Sequence, residues 1–359
     1  MSPLPVMPLL AIAALLSLAT AGLLLITGYA TPQLAAHVAF ALGVLPLILA
    51  AMSYFVPVLT RSGAAGVAAW GPSMLAWSGG ALAVFAFAGN FSPTALTLAA
   101  ALGGLAALGL GGWTVYRTRR MFGPRHRGLD WYLAALAFLL LALLAVMLMP
   151  LFPTQRNALR LFHLHANLLG FVGLTALGTL QVLLPTSLGR GDPGAALRLR
   201  HDLKWAAAGA LLITVGASSL LPASASKMAP ALALLGTAMY GWAVVRMLNA
   251  WLALFGNALW QTHSAASSLT AAALGLLGLL TLGAAHGSGW LPARPAVTGF
   301  VIAFLLPLVS GAAAHLLPVW LRPGPQGPWH KVLRARLCRW SGLRGLSLLL
   351  LGLAVATLS

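Results

Sequence analysis

Eleven apolar runs of about twenty residues each follow one another along this chain, with only short polar breaks between them. A run of that length crosses the hydrocarbon of a bilayer as a helix. Once there, it has little freedom, because every backbone N–H and C=O must be satisfied without water. The runs lie near 8–29, 33–60, 65–89, 93–116, 130–151, 158–186, 203–222, 229–252, 263–285, 296–320 and 341–358. The expected fold is therefore an all-α polytopic membrane protein, a single transmembrane domain over 1–359 with about 11 transmembrane helices. Hydrophobic residues make up 60% of the chain and charged ones 7%, which excludes an ordinary soluble domain. The first run, Leu9 to Ile26, has no basic residue before it and reads as a span rather than a cleaved signal.

A net charge of +18 suggests nucleic acid at first sight. Its distribution says otherwise, because the basic residues fall in the breaks between runs, where they orient helices. With the N-terminus cytoplasmic, 17 of the 21 Lys and Arg lie on the inner side, and only Arg156, Arg160, Lys227 and Arg294 lie outside. The expectation is a bacterial inner membrane, no nucleic-acid partner, and the lipid bilayer as surroundings. One cysteine, Cys338, excludes an internal disulfide and a thiolate-rich metal site. The three acids, Asp130, Asp192 and Asp202, lie outside the depths of the runs, which argues against a carboxylate proton wire.

The runs also repeat. The second, sixth and tenth close on Pro57, Pro185 and Pro318, at offsets of 128 and 133 residues. The fourth and eighth end in Gly-Trp-Thr-Val-Tyr-Arg and Gly-Trp-Ala-Val-Val-Arg, with Trp113 and Trp242 129 residues apart. Units of this kind mark assembly from equivalent parts. They predict three pseudo-equivalent four-helix arcs near 1–128, 129–257 and 258–359, the third truncated to three helices.

Histidines supply the chemistry. His37 and His165 each stand 20 residues before a closing proline, and His163 precedes His165 by two. Ionisable groups inside a membrane are rare and usually functional, so aligned histidines read as a buried metal or haem site. Residues two apart on a helix point about 200° away from each other, so His163 and His165 face different neighbours. A haem held by His37 and either His163 or His165 is one reading. Copper or zinc alone is another, and histidines that only pack helices are a third. Arg156, Arg160 and His163 share one helix face, which places two cations to meet haem propionates or lipid headgroups. Met147 and Met149 would complete a Cu(I) site. His286 stands in for the ligand missing at Thr298, and His263 with His315 forms a second polar site near the inner surface, while His126, His201 and His330 read as solvated loop residues. Pro46 and Pro307, each eleven residues before a closing proline, free a carbonyl and open room.

Three four-helix arcs with histidines near the outer ends of inward-running helices resemble subunit I of the haem-copper oxidases. The stretch His163-Leu164-His165 to Pro185, with its spaced glycines, is similar to that family's tenth helix, where a His-x-His pair serves two haems. The run from His37 to Tyr54-Phe55-Val56-Pro57 is similar to its second or sixth helix. The chain is also similar to NnrS-type haem- and copper-containing membrane proteins. The resemblance implies haem b, and with it copper, near the periplasmic side. It implies redox transfer, or binding or detoxification of a small gas such as nitric oxide or oxygen, with a redox partner or periplasmic cytochrome supplying electrons. The oxidase His-His copper pair and the carboxylate channels are missing, so a proton-pumping oxygen reductase is not expected. A copper or haem transporter and a non-catalytic assembly subunit are the competing expectations.

Overall fold

The computed structural model of the protein describes residues 6–89, 93–218, 220–221, 223–291 and 297–358. Arg294, and residues 219 and 222 near the end of the seventh expected span, fall outside them. Among the described residues helices are the only regular elements, and ten helical stretches are long and apolar enough by length and composition to cross a membrane. The protein is an all-α polytopic membrane protein. Two compact units divide it, Met1–Thr175 with Ser218–Leu220, and Ala176–Ala217 with Leu221–Ser359.

In the first unit, α1 (Val6–Thr27) is followed by a span made of three pieces: α2 (Pro32–His37), a π-helical segment Val38–Val44, and α3 (Leu45–Leu59). Thr31 starts it by accepting the Leu34 N–H, with Pro32 preset for the first turn. Then come α4 (Gly71–Ala88), α5 (Pro93–Arg119), α6 (Gly128–Leu148) and α7 (Arg156–His165), which runs into a second π segment, Ala166–Gly173. Helices α4 and α5 lie side by side, and α6 packs on α5, on α7 and on the π segment that follows α7.

The second unit contains α8 (Leu174–Ser187, beyond its first two residues), α9 (Ala195–Ser218), α10 (Ala229–Phe255) and α11 (Ala265–Gly287). It continues with α12 (Val297–Phe300), a third π segment Val301–Leu305, α13 (Leu306–Leu321), α14 (Pro328–Leu337) and α15 (Ser341–Leu358). The unit's core is α11, against which α10, α13 and α15 all pack.

The π segments have two origins. Pro46 and Pro307 stand just after the first and third, at the second position of the α-helix that resumes there. A proline lacks the N–H and crowds the carbonyl four residues back, and widening the preceding turn relieves that crowding. Leu174 stands eleven residues before Pro185, where the other two spans have proline, yet Ala166–Gly173 is still π-helical. Its widening comes with tight packing, since Gly170 lies flat against the Phe138 ring.

Neighbouring backbones come very close to the other two segments. A Cβ on Gly80 of α4 would sit 2.1 Å from the Ala41 carbonyl oxygen, and one on Gly275 of α11 2.0 Å from that of Ala303. Small residues at such crossings are how membrane helices gain packing without a hydrophobic drive between them.

The seventh span differs from expectation. Its helix starts at Ala195, well before 203, so the basic stretch expected as loop is largely helical. The cause is ionic. Asp192 accepts the Gly194 N–H at 3.0 Å and pairs with the buried Arg198, and Asp202, fully buried, pairs with Arg246 of α10 at 3.3 Å. These partners allow the first two turns of α9 to carry charge into the packed interior. The charge also keeps α9 out of the ten apolar stretches.

Candidate functional site

Two helix–π junctions in the first unit make the site. His37 is the last residue of α2, and His163 and His165 stand in the last turn of α7. The rings of His37 and His163 lie within 7° of parallel, with centroids 6.5 Å apart. Phe87 of α4 packs against His37, ring centroids 4.4 Å apart and planes tilted by 34°.

Each of the three imidazoles has Nδ1 on a backbone carbonyl. His37 Nδ1 meets Gln33 O at 2.8 Å, and His165 Nδ1 meets Leu161 O at 2.8 Å, both one turn back on their own helices. His163 Nδ1 instead crosses to Ala142 O of α6 at 3.0 Å. A carbonyl only accepts, so Nδ1 carries the proton in each ring, and the Nε2 lone pair is left for a ligand. An Nδ1–H bonded to a carbonyl is also how metal-binding histidines are fixed in tautomer and orientation.

Asn167, one turn after His163, donates its amide to the His163 carbonyl at 2.9 Å. That amide also lies 3.2 Å from His163 Nδ1, where two donors meet, and 3.5 Å from His163 Nε2, where it is a donor within reach of the lone pair, so Asn167 stands against the ring.

The spacing of the pair has chemical meaning. Two imidazoles on opposite sides of one ion, with nitrogens at about 2.0–2.1 Å from it, hold their ring centroids about 6 Å apart. Parallel planes at 6.5 Å fall close to that figure. Among the described residues no three or more His, Cys, Asp or Glu side chains converge, so the pair is a two-imidazole arrangement.

The other expected residues scatter. His165 turns to its own helix, on a different side from His163, as the spacing of two requires. Arg160 is exposed and is bonded to Asn157 Oδ1 at 2.9 Å, and Arg156 is exposed at the first position of α7. Met147 is exposed and Met149 half-buried, just past the body of α6. In the second unit, His286 is exposed in the last turn of α11, with Nδ1 3.3 Å from Leu291 O. His263 and His315 have separate partners. His263 Nδ1 accepts the Trp340 N–H at 3.0 Å, while the His315 carbonyl accepts from Arg334 at 3.5 Å.

Two histidines expected in solvent are structural. His330 is buried, donates from Nε2 to Arg322 O at 2.9 Å and accepts the Gly327 N–H on Nδ1 at 3.1 Å, closing the start of α14. His126 is half-buried and accepts the Gly128 N–H at 3.1 Å, ahead of α6. Polar loop context gave no sign of either bond.

Sequence reasoning missed Phe87, the Ala142 carbonyl and Asn167. Asn167 had a signal, because it stands one helical turn from His163. The other two lie on separate helices and had none. Comparison with known protein families, curated proteins and solved structures finds no match to this chain.

Proposed function

We propose that this protein binds haem b in a membrane, with the iron held between Nε2 of His37 and Nε2 of His163. The observation that carries the reading is the near-parallel pair of rings at 6.5 Å, each with Nδ1 committed to a carbonyl and Nε2 unprotonated, that of His163 with the Asn167 amide 3.5 Å away. The donor set fits the group, since neutral imidazole is a haem-iron ligand and both tautomers are the binding one. Haem, when bound, supplies one-electron chemistry and, with a ligand position open, binding of a small gas. The chain's own residues supply position. Gln33 and Ala142 carbonyls fix the two rings, Asn167 stands against one of them, and Phe87 packs against the other. Both junctions run into π segments, which occur often at functional sites in helices.

Held by both imidazoles, the group would supply electron transfer rather than gas binding, and the role we infer is redox transfer fed by a partner such as a periplasmic cytochrome. The Lys and Arg bias supports a bacterial inner membrane with the N-terminus cytoplasmic, which puts the pair near the outer face.

An optical spectrum of the detergent-purified protein, oxidised and dithionite-reduced, tests this, with metal analysis of the same sample. The expected result is a Soret band lost in His37→Ala and in His163→Ala. A colourless protein from haem-replete cells sinks the haem reading, and stoichiometric copper in that sample moves the assignment to copper handling.

A further inference from the structure

We infer that the end of the second unit formed by the close of α13, by α14 and by the start of α15 is a docking surface for the phosphate headgroup of an anionic phospholipid. Arg322, Lys331, Arg334, Arg336, Arg339 and Arg344 gather there, and the sequence holds no Asp or Glu after Asp202. Among the described residues, the hydrogen-bond acceptors of Arg334 and Arg344 are all neutral oxygens. Arg334 reaches Gln326 Oε1 at 3.0 Å and His315 O at 3.5 Å. Arg344 reaches Arg339 O at 2.8 Å, Leu337 O at 3.0 Å and Ser310 Oγ at 3.4 Å. Arg322 lies over the Trp329 ring at 4.3 Å. Among the described residues none of these six cations is in a salt bridge.

Two buried atoms beside Arg334 point to a ligand. Arg334 Nε and His315 Nδ1 are buried, with no hydrogen-bond partner among the described residues. A guanidinium donor left unmet is costly, and a phosphate oxygen is its best acceptor. The shape of α14 says where that phosphate comes from. Lys331, Val332 and Arg336 are exposed on the ten-residue α14, and Arg339 and Trp340 are exposed in the turn that follows it. Basic helices with an exposed Trp and aliphatic residues lie in the headgroup layer, where lipid tails meet the apolar groups and anionic heads meet the cations. A free phosphate ion would satisfy Arg334 and would leave the exposed Val332 without an apolar partner.

The full-length protein in neutral detergent is titrated with short-chain phosphatidylglycerol, with phosphatidylcholine of the same chains, and with inorganic phosphate. Binding is followed by native mass spectrometry and tryptophan fluorescence. The expected outcome is retention of phosphatidylglycerol alone, weakened roughly fivefold per cation removed in Arg334→Gln, and further in the exposed triple variant K331Q/R336Q/R339Q. The triple variant carries the test if R334Q does not fold. Equal retention of the two lipids, the same response to inorganic phosphate, or no effect in the folded variants overturns the proposal.

Discussion

His163 Nδ1 donates across to the carbonyl of Ala142 on the neighbouring α6, at 3.0 Å, whereas His165 Nδ1 stays on its own helix at Leu161 O. That difference turns His163 toward His37 and gives His165 another direction. His165→Ala is therefore expected to keep the Soret band that His163→Ala loses. Absorbance of the two variants, normalised to protein, checks it. Loss in both variants equally would mean that the ring pair does not select between them.

Gly80 and the Ala41 carbonyl define how closely α4 meets the first π segment. Gly80→Ala would put a methyl 2.1 Å from that oxygen, and the helices must separate. The expected cost is about 1–3 kcal/mol, the usual range for overpacking. Gly112→Ala, where a Cβ meets nothing within 4 Å, should leave the thermal midpoint in detergent unchanged or raise it.

Arg246 is the partner of Asp202, whose side chain is 1% exposed. Arg246→Ala leaves a carboxylate buried beside only Arg198 and His201, and is expected to cost about 3 kcal/mol, the low end for a broken buried pair because Arg246 itself is partly exposed. Arg246→Lys should recover part of the loss. Unfolding of the purified variants in detergent reads both, and an unchanged midpoint for Arg246→Ala would remove the ionic account of the early start of α9.

His126 gives a pH dependence. Burial, and after it the charge of Arg61, holds its imidazole below the usual 6.5. The unfolded chain then takes up the proton first as pH falls, so this group's contribution to stability is lost from about pH 6.5 downward until the folded-state value is passed. Protonation also removes the acceptor for the Gly128 N–H. His126→Asn keeps an acceptor and removes the titration. Its thermal midpoint should fall less than the wild type's between about pH 7.5 and pH 5, and parallel curves would contradict the assignment.

The spans were legible because the bilayer reads length and polarity, both of which are local. The second span, expected near 33–60, forms as Pro32–Leu59, and the last, expected near 341–358, forms as Ser341–Leu358. Where charge is paired through space, local reading went astray. Arg198 and Asp202 looked like loop residues until Asp192 and Arg246 compensated them, and His330 looked solvated until Arg322 O and the Gly327 N–H engaged both of its nitrogens.

By itself, then, the sequence determined that this chain is a helical membrane protein and that His37 and His165 each stand 20 residues before a closing proline, because hydrophobic length and residue spacing are properties of the chain. Only the tertiary structure decided which ring faces which. The acceptor that orients His163 lies 21 residues away on α6, and the ring it meets belongs to α2. A side chain's direction is set by the partner it finds, and no spacing along the chain records that partner.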